Sequence, residues 1–375
     1  MHSDGAERFE TMIIGGGQAG LAAGYHLAKR GVPSVILDAG ERIGDSWRTR
    51  WDSLRLFTPA HFDGLPGMRF PAPKWTFPTK DEFADYLQAY AARFDLPVRT
   101  GVSVNGLRRD GDRYVVTSGE RRFEADRVVV ATGAFRIPKV PGFAFDLDPG
   151  IVQLHSSEYR NPGQLASGEV LVAGLGNSGA EISFEVARAY PTWLSGKEHG
   201  QIPVKWGPAA ARTAFRVFRF IHHHVITRKT PIGRRLAPKI ETTPAPLIRV
   251  KTKDLMRLGV RRVPRVAGAR DGLPLLDDGR LLEVSNVIWC TGFRQDFRWI
   301  DLPVFGEDGQ PLHDRGVVRS EPGLYFLGLI FQYASSSDVI TGVGRDAKYI
   351  AKHIATREAE RRASKREAAE VIASI

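Results

Sequence analysis

A single cysteine, Cys290, stands in 375 residues. That excludes a disulfide framework, a Cys-x-x-Cys redox pair and any zinc or iron–sulfur site built on several thiolates. Long apolar runs are missing as well. The 215–226 stretch comes nearest to one and is broken by Arg216, Arg219 and three histidines, so no transmembrane segment is expected. The first nine residues are polar and lead straight into a short apolar run, without a signal-peptide core, so a soluble, cytoplasmic chain is expected. Acid is in short supply too: 42 Asp and Glu against 53 Lys and Arg leave a net charge of +11. A basic balance suits nucleic acid, an anionic membrane surface or a phosphorylated ligand, and the position of the charge has to choose among them.

Glycine, by contrast, is plentiful at 39 residues, about 10% against a usual ~7%. With 42% hydrophobic and 25% charged residues the composition is globular, and the length suggests two or three domains. Near the start, residues 11–14 read as a strand, Gly15-Gly16-Gly17-Gln18-Ala19-Gly20 as G-x-G-x-x-G, 21–30 as a helix stopped by Gly31, and 34–37 as a second strand ending at Asp38. This is a βαβ unit with an acid 18 positions after its last glycine. Gly15 permits the tight turn, Gly17 lets the backbone approach a pyrophosphate, and Gly20 lets helix and strand pack closely. The helix N-terminus offers free N–H groups to phosphates, and Asp38 accepts hydrogen bonds from a ribose.

The arrangement recurs. Residues 170–173 form a strand, Gly174-Leu175-Gly176-Asn177-Ser178-Gly179 repeats the spacing, 180–189 are helical and 191–194 form the next strand. Its end carries Ser195 and Lys197 where the first unit has Asp38, with Glu198 just beyond. A hydroxyl and an ammonium bind a 2′-phosphate that an acid would repel, so this site reads as one for NADPH.

Between the two units, 71–78 is rich in proline and aromatics, and Thr79 with Glu82 makes a capping box. Phe83, Tyr86, Leu87, Tyr90, Ala91 and Phe94 then repeat at helical spacing as core. Short β segments follow at 102–107, 114–117 and 127–131, the last ending in Ala131-Thr132-Gly133. Residues 286–290 form a strand entering Thr291-Gly292-Phe293, an echo of that turn, and 324–327 form another. Gly342-Val343-Gly344-Arg345-Asp346-Ala347 opens a long C-terminal helix, solvated from Arg357 onward. The expected fold is α/β, with two Rossmann-like dinucleotide-binding domains and the second inserted into the first. Residues 1–148 and 286–375 form the FAD domain. Residues 149–285 form the NADPH domain, with a basic, partly helical segment at about 201–270.

Two dinucleotide folds in one chain need a shared reaction. FAD in the first and NADPH in the second would allow hydride transfer from nicotinamide to flavin. A disulfide cannot receive the electrons without a cysteine pair, which leaves molecular oxygen or a diffusible acceptor. Three readings stay open: an oxygenase, an NADPH oxidase or diaphorase, and a flavin-bound regulatory module that touches nucleic acid or membrane.

The residues resemble the flavin-containing monooxygenases at several places in the right order. These are the first fingerprint, Glu41-Arg42-Ile43-Gly44-Asp45-Ser46-Trp47, Phe77-Pro78-Thr79-Lys80, Ala131-Thr132-Gly133, His155-Ser156-Ser157-Glu158-Tyr159, the second fingerprint and Cys290-Thr291-Gly292-Phe293. The stretch 70–96 is similar to the plant YUCCA-type branch and its bacterial relatives. The resemblance, over about residues 10 to 355, implies a class B flavoprotein. Such a protein reduces FAD with NADPH, retains NADP+, and gives one oxygen atom of O2 to a small organic substrate through a flavin C4a-(hydro)peroxide in a dry pocket. Two departures stand out. Gly150 lies five residues before His155, one more than the family spacing, and Leu54-Arg55-Leu56-Phe57-Thr58-Pro59 lacks the asparagine of animal-type members.

On this reading FAD is held by Gly15, Gly17, Gln18, Gly20, Asp38, Arg42, Trp47, Thr132 and Asp346. NADPH is held by Gly174, Gly176, Asn177, Ser178, Gly179, Ser195 and Lys197. Thr58 and Gln332 fall near the flavin as the catalytic candidates. The 342–347 turn aims a helix N-terminus at the flavin pyrimidine end, where reduction builds negative charge. His155 and Tyr159 belong to the hinge between domains, although His155 reads equally as a satisfied structural histidine and Trp47 as an ordinary core tryptophan. Cys290, in a buried strand, is inert. His222, His223 and His224 make a poor chelate, because consecutive helical residues point about 100° apart, and no metal is expected.

The charge is concentrated. Residues 201–270 hold 17 Lys and Arg against Glu241 and Asp254, a local net of +15, so the other 305 residues sum to −4. Trp206, Phe215, Phe218 and Phe220 are interleaved with it. The segment reads as serving the NADPH side, or as a solvated helical lid with snorkelling arginines; a nucleic-acid partner is not expected.

Overall fold

Both βαβ units form, each wider than its apolar signal. The computed structural model describes residues 6–134, 137–202 and 210–373; Trp206 lies outside them. β1 (Glu7–Ile14) starts four residues before the apolar run, because only its second half is buried. α1 (Gln18–Ala28) and β2 (Val35–Leu37) follow, then the short α2 (Asp45–Arg48) and α3 (Lys80–Arg93). The capping box of α3 is made in both directions: Thr79 N donates to Glu82 Oε2 (2.7 Å) and Glu82 N to Thr79 Oγ1 (3.2 Å). Phe83, Tyr86, Leu87 and Tyr90 fill the core beneath it.

β3 (Val98–Arg99) pairs with β2, and β4 (Gly106–Asp110), β5 (Arg113–Ser118) and β6 (Arg121–Val130) form a meander. The strand expected at 102–107 therefore begins only at Gly106. Val102 and Val104 are buried but unladdered, and Val102 N donates to Asp38 O (2.8 Å) past the end of β2. β6 starts six residues before the expected 127–131, because its first half pairs with β5 and keeps a polar face.

The chain leaves the first domain through β7 (Ile137–Pro138). The second domain comprises β8 (Val152–His155), β9 (Val170–Ala173), α4 (Asn177–Val186), β10 (Thr192–Ser195), α5 (Ala210–Phe220), α6 (Pro231–Thr242), α7 (Thr252–Arg257), β11 (Arg261–Val263), the β12 (Val266–Arg270) and β13 (Leu273–Leu276) hairpin, and β14 (Asn286–Trp289). Its parallel sheet runs β11-β10-β9-β14-β8. β15 (Phe293–Arg294) carries the chain back and pairs antiparallel with β7. β16 (Ile300–Asp301) extends the edge at β4, and β17 (Leu324–Phe326) pairs with the second half of β6. α8 (Ile340–Ala373) lies along α1.

Two expectations are corrected here. The crossings between domains lie at 137–138 and 293–294, not at 148 and 286: β14 is laddered into the second sheet, and Ala144 and Leu147 pack in that domain's core. The 342–347 segment lies inside α8 rather than before it. Its glycines are there for contact, since a Cβ on Gly342 would strike Ser336 O and one on Gly344 would press on Pro66.

Candidate functional site

The two glycine loops are built alike. Gly15 (φ +112°) and Gly174 (φ +119°) take left-handed turns, where a Cβ would strike Ala131 O and Cys290 O respectively. A Cβ on Gly20 or Gly179 would strike the carbonyl of Gly15 or Gly174. Gly17 and Gly176 differ, for no atom comes within 4 Å of a Cβ at either. The outer glycines are thus required by the fold and the middle ones face open space. α1 and α4 begin at these open glycines with no side-chain cap, whereas α3 and α6 are capped by Thr79 and Thr230. Uncapped N–H groups behind a Cβ-free approach fit a dinucleotide pyrophosphate in both loops.

Around the first loop, Asp38 accepts hydrogen bonds from Gly16 N (2.6 Å) and Gly40 N (2.9 Å), which fastens the loop to the end of β2. Trp47 donates to Gln18 Oε1 (3.4 Å) and meets Phe83 edge-on at 4.8 Å, so it sits between the start of α1 and α3. Arg42 is exposed beside Asp45, and Thr132 is half-buried after β6.

Two candidates have their side-chain polar groups taken up by the protein. Gln332 is fully buried; its Oε1 accepts from Leu329 N and its Nε2 donates to Arg315 O, both at 3.3 Å. Asp346, also fully buried, lies between Arg345 (3.0 Å) and Arg315 (3.6 Å). Their side-chain polar groups serve loop packing, so any part they play at a flavin falls to their position and backbone.

Thr58 has a partner the sequence did not flag. Its hydroxyl donates to Asp63 Oδ1, while Asp63 Oδ2 is buried with no partner. Burial pushes the Asp63 carboxyl up to about 8, and the bond from Thr58 offsets only part of that. A protonated acid is thereby held on the loop leading to α3. Tyr86 pins the following turn, accepting from Leu65 N (2.6 Å) and donating to Met68 O (2.8 Å).

At the domain junction, His155 Nε2 donates to Gly292 O (3.0 Å), Nδ1 accepts from Ser157 Oγ (2.8 Å), and the ring meets Phe293 edge-on. Burial lowers its pKa and keeps it neutral. The buried Tyr159 donates to Glu185 Oε2 (2.9 Å). Close by, Asp52 N donates to Arg160 O (2.8 Å) and Asn161 Nδ2 to Asp52 Oδ2 (2.7 Å), joining the domains.

In the second loop, Asn177 is tied to the chain at 246–248, donating to Pro246 O (3.2 Å) and accepting from Ile248 N (3.0 Å). Ser178 stays half-buried beside it. Ser195 is a correction: its buried hydroxyl donates to Pro264 O (2.9 Å) and accepts from Val266 N (3.1 Å), so it links strands rather than facing a phosphate. Lys197 is exposed beyond the strand end. Arg262 joins it there, because parallel pairing of β10 with β11 sets it opposite Leu194, and it donates to Gly196 O (3.1 Å). Sixty-five residues separate these two cations in the chain, and only the strand pairing reveals them as neighbours.

The basic segment is a further correction. Its 215–228 part crosses to the first domain, while 246–270 stays with the second. Phe215 stacks on Phe62 at 4.9 Å, His222 and His223 are hydrogen-bonded to Ser335 (2.8 Å) and Ser336 (3.2 Å), and Arg345 donates to His223 O (2.8 Å). It thus covers the loops at 58–63 and 331–337. Cys290 is half-buried and has no partner cysteine, and burial of its thiol pushes it up to about 12, which leaves little thiolate.

Residues 12–192 match the family described as pyridine nucleotide-disulphide oxidoreductase. An uncharacterized CzcO-like oxidoreductase of Geobacillus kaustophilus is 38% identical over 92% of this chain and 98% of its own. A probable indole-3-pyruvate monooxygenase, YUCCA3 of Arabidopsis thaliana, is 30% identical over 92% and 86%. The solved flavin-containing monooxygenase of Stenotrophomonas maltophilia superposes with a TM-score of 0.75 at 27% identity, covering 94% of this chain and 99% of that one. With two glycine loops, an inserted second domain and no thiol pair, the chain belongs to the class B flavin-containing monooxygenase family.

Proposed function

We propose that the chain is an FAD-dependent, NADPH-consuming monooxygenase that places one oxygen atom of O2 into a small organic substrate. The observation that carries this reading is the pair of uncapped helix starts at Gly17 and Gly176, in one chain whose single cysteine has no partner for a disulfide. FAD falls to the first loop, with Gly15, Gln18 and Gly20 shaping it and Asp38, Trp47 and Thr132 beside it. NADPH falls to Gly174, Gly176, Ser178 and Gly179, with Lys197 and Arg262 for its 2′-phosphate. The flavin, when bound, supplies hydride acceptance and oxygen chemistry. The chain's part is to bind, to orient and to exclude water: Phe62 and Phe215 close over the loop that carries Thr58, and Asp63 holds a proton beside it. A 2-oxo acid, the substrate class named for the plant relatives, is the first candidate to screen.

The test is substrate-stimulated NADPH oxidation under 18O2. One labelled oxygen atom in the product supports the reading. Hydrogen peroxide formed one for one with NADPH consumed, with every substrate tried, would sink it and favour the oxidase.

Cofactor choice gives a separate prediction. Replacing Lys197 and Arg262 together by glutamine should raise the KM for NADPH at least about tenfold and leave that for NADH unchanged, since charge-assisted contacts to the 2′-phosphate are lost. Ser195→Ala should leave the NADPH/NADH ratio of kcat/KM where it was and cost stability instead, because Val266 N loses its acceptor.

A further inference from the structure

We propose that the 210–242 segment docks the protein on an anionic membrane surface, through the outward arc of α5 and the cations around it. The proposal is independent of the reaction assigned to the nucleotide domains.

α5 has two apolar faces. One is spent on the protein: Phe215 is buried on Phe62, Phe218 leans on Phe215 and His222, and His222 is bound to Ser335. These contacts fix which way the helix faces. The other face points outward, with Val217 53%, Phe220 60% and, one residue past the helix, Ile221 38% exposed. At 100° per residue Val217 and Ile221 fall within about 40° of each other, and Phe220 flanks them. Arg216 lies about 40° beyond Phe220, whereas Arg219 turns to the protein side and sits over the Phe62 ring. On α6, Ile232 is 50% exposed among the exposed Arg234, Arg235 and Lys239. The acid of this stretch, Glu241, is paired with Arg228.

Single exposed apolar residues need no explanation, but Val217, Phe220 and Ile221 share about 100° of one face of α5 and its continuation, within a cationic segment. The charge selects the occupant. A second copy would bring this basic face against itself, with repulsion and no acid to answer it. A nucleic acid would satisfy the cations and leave the aliphatic tips of Val217, Ile221 and Ile232 without a role. An anionic bilayer satisfies both, since headgroups take the cations while the apolar arc enters the acyl boundary. Among the described residues no helix is long and apolar enough to cross a membrane, so this is surface docking.

The experiment uses the full-length flavoprotein and co-sedimentation with vesicles of equal phosphatidylglycerol and phosphatidylcholine, or of phosphatidylcholine alone. Binding is expected to the anionic vesicles only, falling with salt. It should weaken at least about tenfold in Val217→Ser/Phe220→Ser and in Arg235→Gln/Lys239→Gln, with flavin content and NADPH oxidation unchanged as proof of fold. The proposal is overturned by no binding to anionic vesicles, by equal binding to neutral ones, or by variants that bind as the parent does. It is equally overturned if the apolar double variant instead abolishes concentration-dependent self-association, or if DNA retains the protein and vesicles do not.

Discussion

Gly17→Ala should give a folded protein without flavin, whereas Gly176→Ala should give a flavin-bearing protein that NADPH no longer reduces. What an added methyl meets decides both outcomes. At both positions it meets no protein atom within 4 Å, and the backbone, at φ −76° and −98°, accepts alanine without strain. Fold and thermal midpoint should therefore change little, by less than about 1 kcal/mol in stability. A methyl at these positions stands where a pyrophosphate would approach the first amides of α1 or α4, and affinity should fall at least about a hundredfold. Gly20→Ala and Gly179→Ala supply the contrast: their methyls collide with the carbonyls of Gly15 and Gly174, so loss of cofactor should come with loss of stability. Bound-flavin absorbance, thermal melts and NADPH reduction kinetics separate the cases. Full cofactor retention in Gly17→Ala and Gly176→Ala would remove the site assignment.

Asp63→Asn should be more stable than the parent at pH 8, by up to about 5 kcal/mol, and nearly level with it at pH 4. The carboxyl titrates near 3.9 in an unfolded chain and at about 8 when folded. Below pH 4 it is protonated in both states and its burial in neutral form counts fully toward the fold. From pH 4 upward the unfolded chain ionises while the folded one holds its proton. The contribution therefore drains away as pH rises, and levels off only above 8. Asparagine is neutral throughout and escapes this loss. Glu181, raised to about 7 by burial against the offset of Arg249, drains stability in the same direction, but it is common to both proteins and cancels in the difference. Denaturant midpoints from pH 4 to 9 provide the check; a difference that stays constant with pH would mean that Asp63 is ionised in the folded protein.

What the sequence disclosed, and what it withheld, follows from the range of the forces involved. Gly15, Gly17 and Gly20 answer to a turn, a ligand approach and a helix start within six residues, so their roles are local and legible, as are those of the second loop. The capping box at Thr79 is legible for the same reason. The protein partners of Ser195, Gln332 and Asp346 were not legible, because a hydroxyl, an amide and a carboxylate carry no mark of which neighbour takes them. Their long-range partners, Val266 for Ser195 and Arg315 for both Gln332 and Asp346, are settled by tertiary packing. Arg262 and Asp63 escaped notice altogether: one becomes a neighbour of Lys197 only through strand pairing, and the other is unusual only through its burial. The basic segment divides in a way its position in the chain does not show: Phe215 and the histidines find partners on the first domain, while Arg262 stays with the second.

The β7–β15 ribbon has a mechanical consequence. Both passages of the chain between the nucleotide domains run through the same four paired residues, and His155 braces them at Gly292. A paired ribbon this short offers a hinge axis between the two glycine loops. A swing about it would have to part the grip of Asp52 on Arg160 and Asn161 and the contacts of Phe215 with Phe62 and of His222 with Ser335.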